Sequence, residues 1–150
     1  MTCIIGIKHK NKVYLAADSA ASTSYTISTR KTPKVFKIEE YVIGYTTSFR
    51  MGQLIQYSFN PPKVKNKDYS SDQSMMRFMV RSFIPALRQL LKDNGFLKID
   101  NNRETGGVFL VGVKGFLFQI ESDFQVAHSA LDYDAVGSGG ETALGSLFST

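Results

Sequence analysis

The opening of the chain constrains its fold more than any other stretch. Ile4, Ile5 and Ile7 make one short apolar run, and Val13-Tyr14-Leu15-Ala16-Ala17 makes a second. Between them lies polar, turn-like His9-Lys10-Asn11-Lys12. Two such runs joined by a short polar segment predict a β-hairpin. Loop length fixes hairpin register. A turn centred near Lys10 and Asn11 pairs residues whose numbers sum to 20 or 21, which sets Thr2 opposite Asp18 or Ser19. Asp18 closes an otherwise apolar strand, where a carboxylate must find a partner or water.

Thr2 is small, so methionine aminopeptidases would remove Met1 and leave a free α-amine and a hydroxyl on adjacent carbons. An α-amine has an ordinary pKa of about 7.7–8.0 and can take a proton near neutral pH. A threonine hydroxyl is a weak nucleophile that needs such a base. Thr2 would then carry nucleophile and base in one residue.

The rest of the chain alternates short strands with helices. Lys34, after the strand-compatible Pro33, starts the next apolar run. Val35–Ile38, Glu39-Glu40 and Tyr41–Tyr45 read as a second hairpin that brings Lys34 near Tyr45 and Thr46. Ser19–Thr32 is rich in Ser and Thr and has no helical stripe; it reads as an extended connection. Thr46-Thr47-Ser48 ends the strand, and a helix is expected from about Phe49 to Phe59, stopped by Asn60-Pro61-Pro62. Ser71 or Asp72 caps a longer helix, whose apolar face runs through Met76, Met79, Val80, Phe83, Ile84, Leu87, Leu90 and Leu91. Pro85 should kink it, and Asn94-Gly95 should end it. After a polar loop, Gly107–Val113, Lys114-Gly115 and Phe116–Ile120 make a further hairpin, followed by a short strand over Phe124–His128. Val136-Gly137-Ser138-Gly139-Gly140 leads into a last helix. It lacks the Lys-Ser/Thr pair of a phosphate-binding Walker loop.

Thr2, Asp18 and Lys34 are spaced by sixteen residues and sixteen again. Together with Ala16-Ala17-Asp18-Ser19, Lys34–Ile38 followed by Tyr41–Thr46, and Val136–Gly140, they resemble the proteasome β-subunits and their bacterial ring-protease relatives, which are N-terminal-nucleophile hydrolases. The resemblance runs over essentially the whole chain. It implies an α+β fold, a four-layer αββα sandwich of two antiparallel sheets between helical layers, with residues 1–150 as a single domain. It also implies that the chain stops inside its third helix. The family's later part, which supplies an Asp and a Ser to the network around the nucleophile, would then be missing.

By the same resemblance, Thr2 is the nucleophile and Asp18 orients Lys34 and keeps it charged. Lys34 favours ionised oxygens nearby. Ser138 positions the α-amine, and the Ser48 N–H serves as oxyanion donor at a strand-to-helix turn. The family has glycines at the positions of Ser48 and Phe49. Ala21 and Ser22 border the substrate, which would add as a strand along Ser19–Thr32. Thr46 forms the floor of the specificity pocket, with Ala21 and Phe36 at its sides. The implied activity is that of a threonine-type peptidase or amidase, acting on peptide or unfolded-protein substrates within a homo-oligomeric ring in the cytoplasm, with an ATP-driven unfoldase as partner and no cofactor. The alternatives are a catalytically silent structural subunit or truncated paralogue, and an acylase of small amides.

Composition bounds these readings. An apolar content of 43% with 21% charged residues is that of a globular chain. No apolar run is long enough to span a bilayer, and Met-Thr-Cys-Ile-Ile lacks the pattern of a signal peptide. Cys3, the single cysteine, reads as a small strand residue in a reducing compartment. The net charge of +5 is scattered over turns such as Lys8–Lys12 and Lys63–Lys67. That pattern reads as a solvated surface, and the clustered basic-aromatic face of a nucleic-acid binder is missing. His9 and His128 are lone histidines, and no metal-ligand spacing stands out.

Overall fold

The computed structural model describes residues 1–100 and 103–150. The first hairpin pairs β1 (Ile4–His9) with β2 (Lys12–Ala17) in the register Ile4↔Ala17, Gly6↔Leu15 and His9↔Lys12, so the paired numbers sum to 21. Lys10 and Asn11 both take positive φ, 48° and 61°. This is the two-residue turn whose twist matches that of the strands.

A short hairpin follows, β3 (Ala20–Ser22) with β4 (Ile27–Thr29), where only an extended connection was expected. Next comes β5 (Val35–Ile38) against β6 (Tyr41–Tyr45), with Val35↔Gly44 and Ile38↔Tyr41. Helix α1 (Phe49–Ser58) is capped by the Ser48 hydroxyl, which accepts the Met51 N–H. Beyond it, α2 (Asp72–Phe78) is capped by Ser71 and runs through a π-helical turn at Met79–Phe83 into α3 (Ile84–Asp93). The polar loop expected next lies partly outside the described residues. Within them, β7 (Lys98–Asp100) pairs with β8 (Arg103–Thr105). The last elements are β9 (Phe109–Val113), β10 (Phe116–Ile120), β11 (Val126–His128), β12 (Tyr133–Val136) and α4 (Gly140–Ser149).

The π-helical turn answers the expected proline kink. Pro85 has no N–H to give, and just before it the Ile84 N–H reaches back five residues to the Met79 carbonyl. One extra residue in the turn shifts the phase of the buried face. Met75, Phe78, Met79, Phe83, Ile84, Leu87 and Leu91 are buried, whereas Val80 is 51% exposed. The expected stripe had included Val80 and omitted Met75 and Phe78.

Two antiparallel sheets stack between helical layers, as the expected four-layer arrangement requires. One has the order β12-β1-β2 and the other β11-β10-β9-β6-β5. Period-2 alternation sorts their side chains. Phe109, Val111 and Val113 of β9 face α1–α3 and join Tyr41, Ile43, Met51, Ile55 and Phe118 in the main core. Leu110 faces the other way, into a smaller core between the sheets with Ile4, Leu117 and Val136. Helix α4 covers the outer face of the three-stranded sheet over β12 and β1. Ile7 and Tyr14, paired on that face, are 39% and 56% exposed. No helix is long and apolar enough to cross a membrane.

Candidate active site

Strand β1 lies centrally in its sheet, antiparallel to both neighbours. Its start therefore meets the ends of β2 and β12. Thr2 precedes β1, Asp18 follows β2, and Gly137-Ser138-Gly139 follows β12. Lys34 reaches the same point from the start of β5 in the other sheet.

Lys34 is 3% exposed. An ammonium has three donors, and all three are engaged: the Met1 carbonyl at 3.0 Å, the Thr2 Oγ1 at 3.2 Å and the Asp18 Oδ2 at 2.8 Å. Asp18 accepts two further bonds, from the Cys3 N–H at 2.7 Å and the Ala20 N–H at 2.9 Å. Burial pushes the Asp18 carboxyl up, but the Lys34 ammonium and these two N–H groups outweigh it and hold the carboxyl below its usual value. The expected register left Asp18 or Ser19 opposite Thr2; the observed one sums to 21 and sets Asp18 beside Cys3, from where its side chain reaches Lys34. Cys3 is half-buried and joins through its main chain alone among these contacts.

Ser138 closes the other side. Its Oγ accepts the Thr2 N–H at 3.1 Å and lies 3.3 Å from the Thr2 carbonyl, which also accepts the Gly139 N–H at 3.1 Å. Gly137 makes this approach possible. Its φ is +96°, and a Cβ there would collide with the Thr2 carbonyl oxygen. The sequence showed the glycine run, but not which glycine the geometry needs.

Thr2, Asp18, Lys34 and Ser138 thus come together. Ser22 joins them through its Oγ, which accepts the Met1 ammonium at 2.5 Å. Ala21 lies beside it on β3, half-buried and paired with Ser28. The remaining expected residues lie apart from this cluster. Thr46 donates both its N–H and its hydroxyl to the Val108 carbonyl, at 3.0 and 2.6 Å. It lines a cavity of about 320 Å³ with Val108, Gln119, Gly137 and Leu144, without Ala21 or Phe36. Phe36 is 8% exposed and packs into the main core against Tyr45. Phe36 faces the core because inward-facing positions of β5 are taken up by it, whereas Thr46 lines that cavity.

Ser48 departs from its expected geometry. Its N–H does not point outward but donates to the Thr46 carbonyl at 2.8 Å. The residue between, Thr47, has φ +75°. This is the three-residue γ-turn, a rare and strained form, at a β-branched residue that pays sterically for positive φ. Phe49 begins α1 beside the cluster: Lys34 Nζ lies 5.9 Å from its ring centroid, and the Tyr45 ring packs edge-on at 6.1 Å. The Tyr45 hydroxyl is buried without a partner among the described residues, and burial raises its pKa. Among the described residues no group of three His, Cys, Asp or Glu side chains could hold a metal.

The family model described as proteasome subunit matches residues 1–49, the segment holding Thr2, Asp18, Lys34, Thr46 and Ser48. No curated protein matches. Among solved structures, BPH of Thiobacillus denitrificans superposes with a TM-score of 0.75 at 17% identity, over 98% of this chain and 77% of that one. The same protein in complex with epoxomicin gives 0.74 at 16%, over 98% and 78%. HslV of Trypanosoma brucei gives 0.62 at 18%, over 98% and 78%. At such identities the superpositions show a shared fold. Over its first third the chain is similar in sequence to proteasome subunits, and over nearly its whole length it shares the fold of BPH and HslV.

Proposed function

We propose that this chain is a threonine-type peptidase or amidase whose nucleophile is Thr2, exposed by removal of Met1. The observation that carries the reading is the Lys34 ammonium, buried and held by Asp18, within 3.2 Å of the Thr2 hydroxyl. A buried cation there favours the alkoxide form of that oxygen. The α-amine freed by Met1 removal takes the hydroxyl proton through a water as Thr2 Oγ1 attacks the scissile carbonyl. Ser138 already bonds the Thr2 nitrogen and positions it. Collapse of the tetrahedral adduct protonates the leaving amine and leaves an ester on Thr2; water then hydrolyses the ester and restores the hydroxyl.

Two main-chain features serve the substrate in this reading. The Met1 ammonium rests on Ser22, so a peptide lying along β3 past Ala21 and Ser22 occupies the same cleft. The Ser48 N–H becomes an oxyanion donor once the Thr47–Ser48 peptide turns out of its γ-turn. A protein with the same fold is known in complex with epoxomicin, which makes that compound a fitting first ligand to try on this chain. A homo-oligomeric ring in the cytoplasm, fed by an ATP-driven unfoldase, belongs to the same reading; light scattering of the purified protein tests the ring.

One observation favours a catalytically silent subunit instead: the Ser48 N–H is already satisfied. Hydrolysis of a fluorogenic peptide panel by the Met1-free protein separates the two. We expect turnover that Thr2→Ala abolishes. Hydrolysis that persists in Thr2→Ala would rule out this nucleophile, and no turnover in either protein favours the silent subunit. A small-amide panel run alongside distinguishes an acylase.

A further inference from the structure

Arg30 stands just after β4, where its N–H donates to the Ser19 carbonyl at 2.9 Å. That bond ties the β3–β4 hairpin to the chain directly after Asp18. The guanidinium lies 5.9 Å from the Phe49 ring centroid, the same ring that the Lys34 ammonium approaches at 5.9 Å. One aromatic ring therefore bridges Arg30 to the cation that contacts the Thr2 hydroxyl.

The two cations differ in what they have left to offer. Lys34 is neutralised by Asp18 and, with Met1 removed, keeps its bonds to Asp18 and to the Thr2 hydroxyl itself. Arg30 is exposed and forms no ion pair among the described residues. Asp18, the nearby carboxylate, is committed to Lys34, Cys3 and Ala20. The other local charges are of one sign. Lys31 follows Arg30, Arg50 follows Phe49, and the first turn of α1 contains no acidic residue, so its helix dipole adds positive potential. Apolar space is limited as well. Tyr45 packs on both Phe36 and Phe49, at centroid distances of 6.2 and 6.1 Å, so the ring faces between them are taken up within the protein.

We propose that Arg30, held against Phe49 beside the Thr2 cluster, selects substrates that carry an acidic side chain on the residue donating the scissile carbonyl. The guanidinium meets that carboxylate as a charge-assisted, two-pronged hydrogen-bond donor. A lysine or arginine at the same place is repelled, and an apolar residue gains no such bond. The inference rests on Thr2 as the nucleophile.

The test uses the Met1-free protein and three fluorogenic peptides that differ only in that residue: Glu, Leu or Arg. Thr2 labelling by a peptide epoxyketone is measured in parallel. The expected result is kcat/KM for Glu at least about tenfold above Leu and Arg, a ratio equal to about 1.4 kcal/mol. Added salt narrows it. Arg30→Glu inverts the Glu-to-Arg order, and Arg30→Lys retains a reduced Glu preference. Arg81→Glu, on the π-helical turn in the helical layer, makes the same change in net charge and leaves the ratio as in the wild type. A labelled, active enzyme that cuts after Glu no better than after Leu overturns the inference, as does an unchanged ratio in Arg30→Glu. Absence of both label and hydrolysis overturns the Thr2 reading itself, and this one with it.

Discussion

At the scale of the residue, the account turns on Lys34. Its side chain is 2% exposed and that of Asp18 is 31% exposed, so the pair lies at the edge of the interior. Lys34→Met removes the ammonium but leaves Asp18 its two N–H donors and access to water. We therefore expect a loss of about 1–2 kcal/mol, less than breaking a fully buried pair costs. The loss depends on pH with a defined sign. Asp18 has a lowered pKa when folded, so its contribution is complete above its unfolded pKa of about 3.9 and fades as pH falls through the lower folded value. Chemical denaturation of both proteins should show the full gap at neutral pH and a shrinking gap below about pH 3.9. Gly137→Ala acts on the opposite wall. Its Cβ would strike the Thr2 carbonyl at a φ that alanine resists, and we expect about 2–3 kcal/mol of destabilisation with a loss of Thr2 reactivity of about a hundredfold or more.

At the scale of the element, two glycines in helices separate packing from propensity. Alanine normally stabilises a helix interior by up to about 1 kcal/mol relative to glycine. Gly145 of α4 has nothing within 4 Å of a built Cβ, so Gly145→Ala should gain about that much. Gly52 of α1 lies against the Tyr45 ring, so Gly52→Ala should instead lose about 1–3 kcal/mol by overpacking. Thermal melts of the two variants check both signs. The elements also show what the sequence carries and what it does not. Local signals placed three hairpins: loop length at Lys10-Asn11 set the register that brings Asp18 beside Cys3, next to Thr2, and Glu39-Glu40 and Lys114-Gly115 set two more, whereas β3–β4 was not foreseen. Long-range pairing was not legible. Tyr133–Val136 has no strong alternation, yet it pairs with β1 and so delivers Ser138 to Thr2. The γ-turn at Thr47 was equally hidden, because a threonine gives no signal for positive φ. The surroundings of Thr46 and Phe36 were hidden for a related reason: chain position says which strand a residue joins, but side-chain packing decides which space it faces.

At the scale of the whole molecule, the site exists because two sheets end together. Ile4, Leu110, Leu117 and Val136 pack between the sheets directly behind it, and any separation of the layers withdraws Lys34 from Thr2. We therefore propose that residues 1–150 unfold as one unit, and circular dichroism and tyrosine fluorescence should report coincident denaturation curves; separate transitions would show the layers to be independent. The central claim, that Thr2 is an active N-terminal nucleophile, is tested most directly by intact mass before and after treatment with a peptide epoxyketone, which closes a ring on both the hydroxyl and the α-amine. The account predicts loss of Met1 and a single adduct on the wild type, with none on Thr2→Ala. A protein that has lost Met1 and still takes no adduct, or a Thr2→Ala variant that takes one, would contradict it.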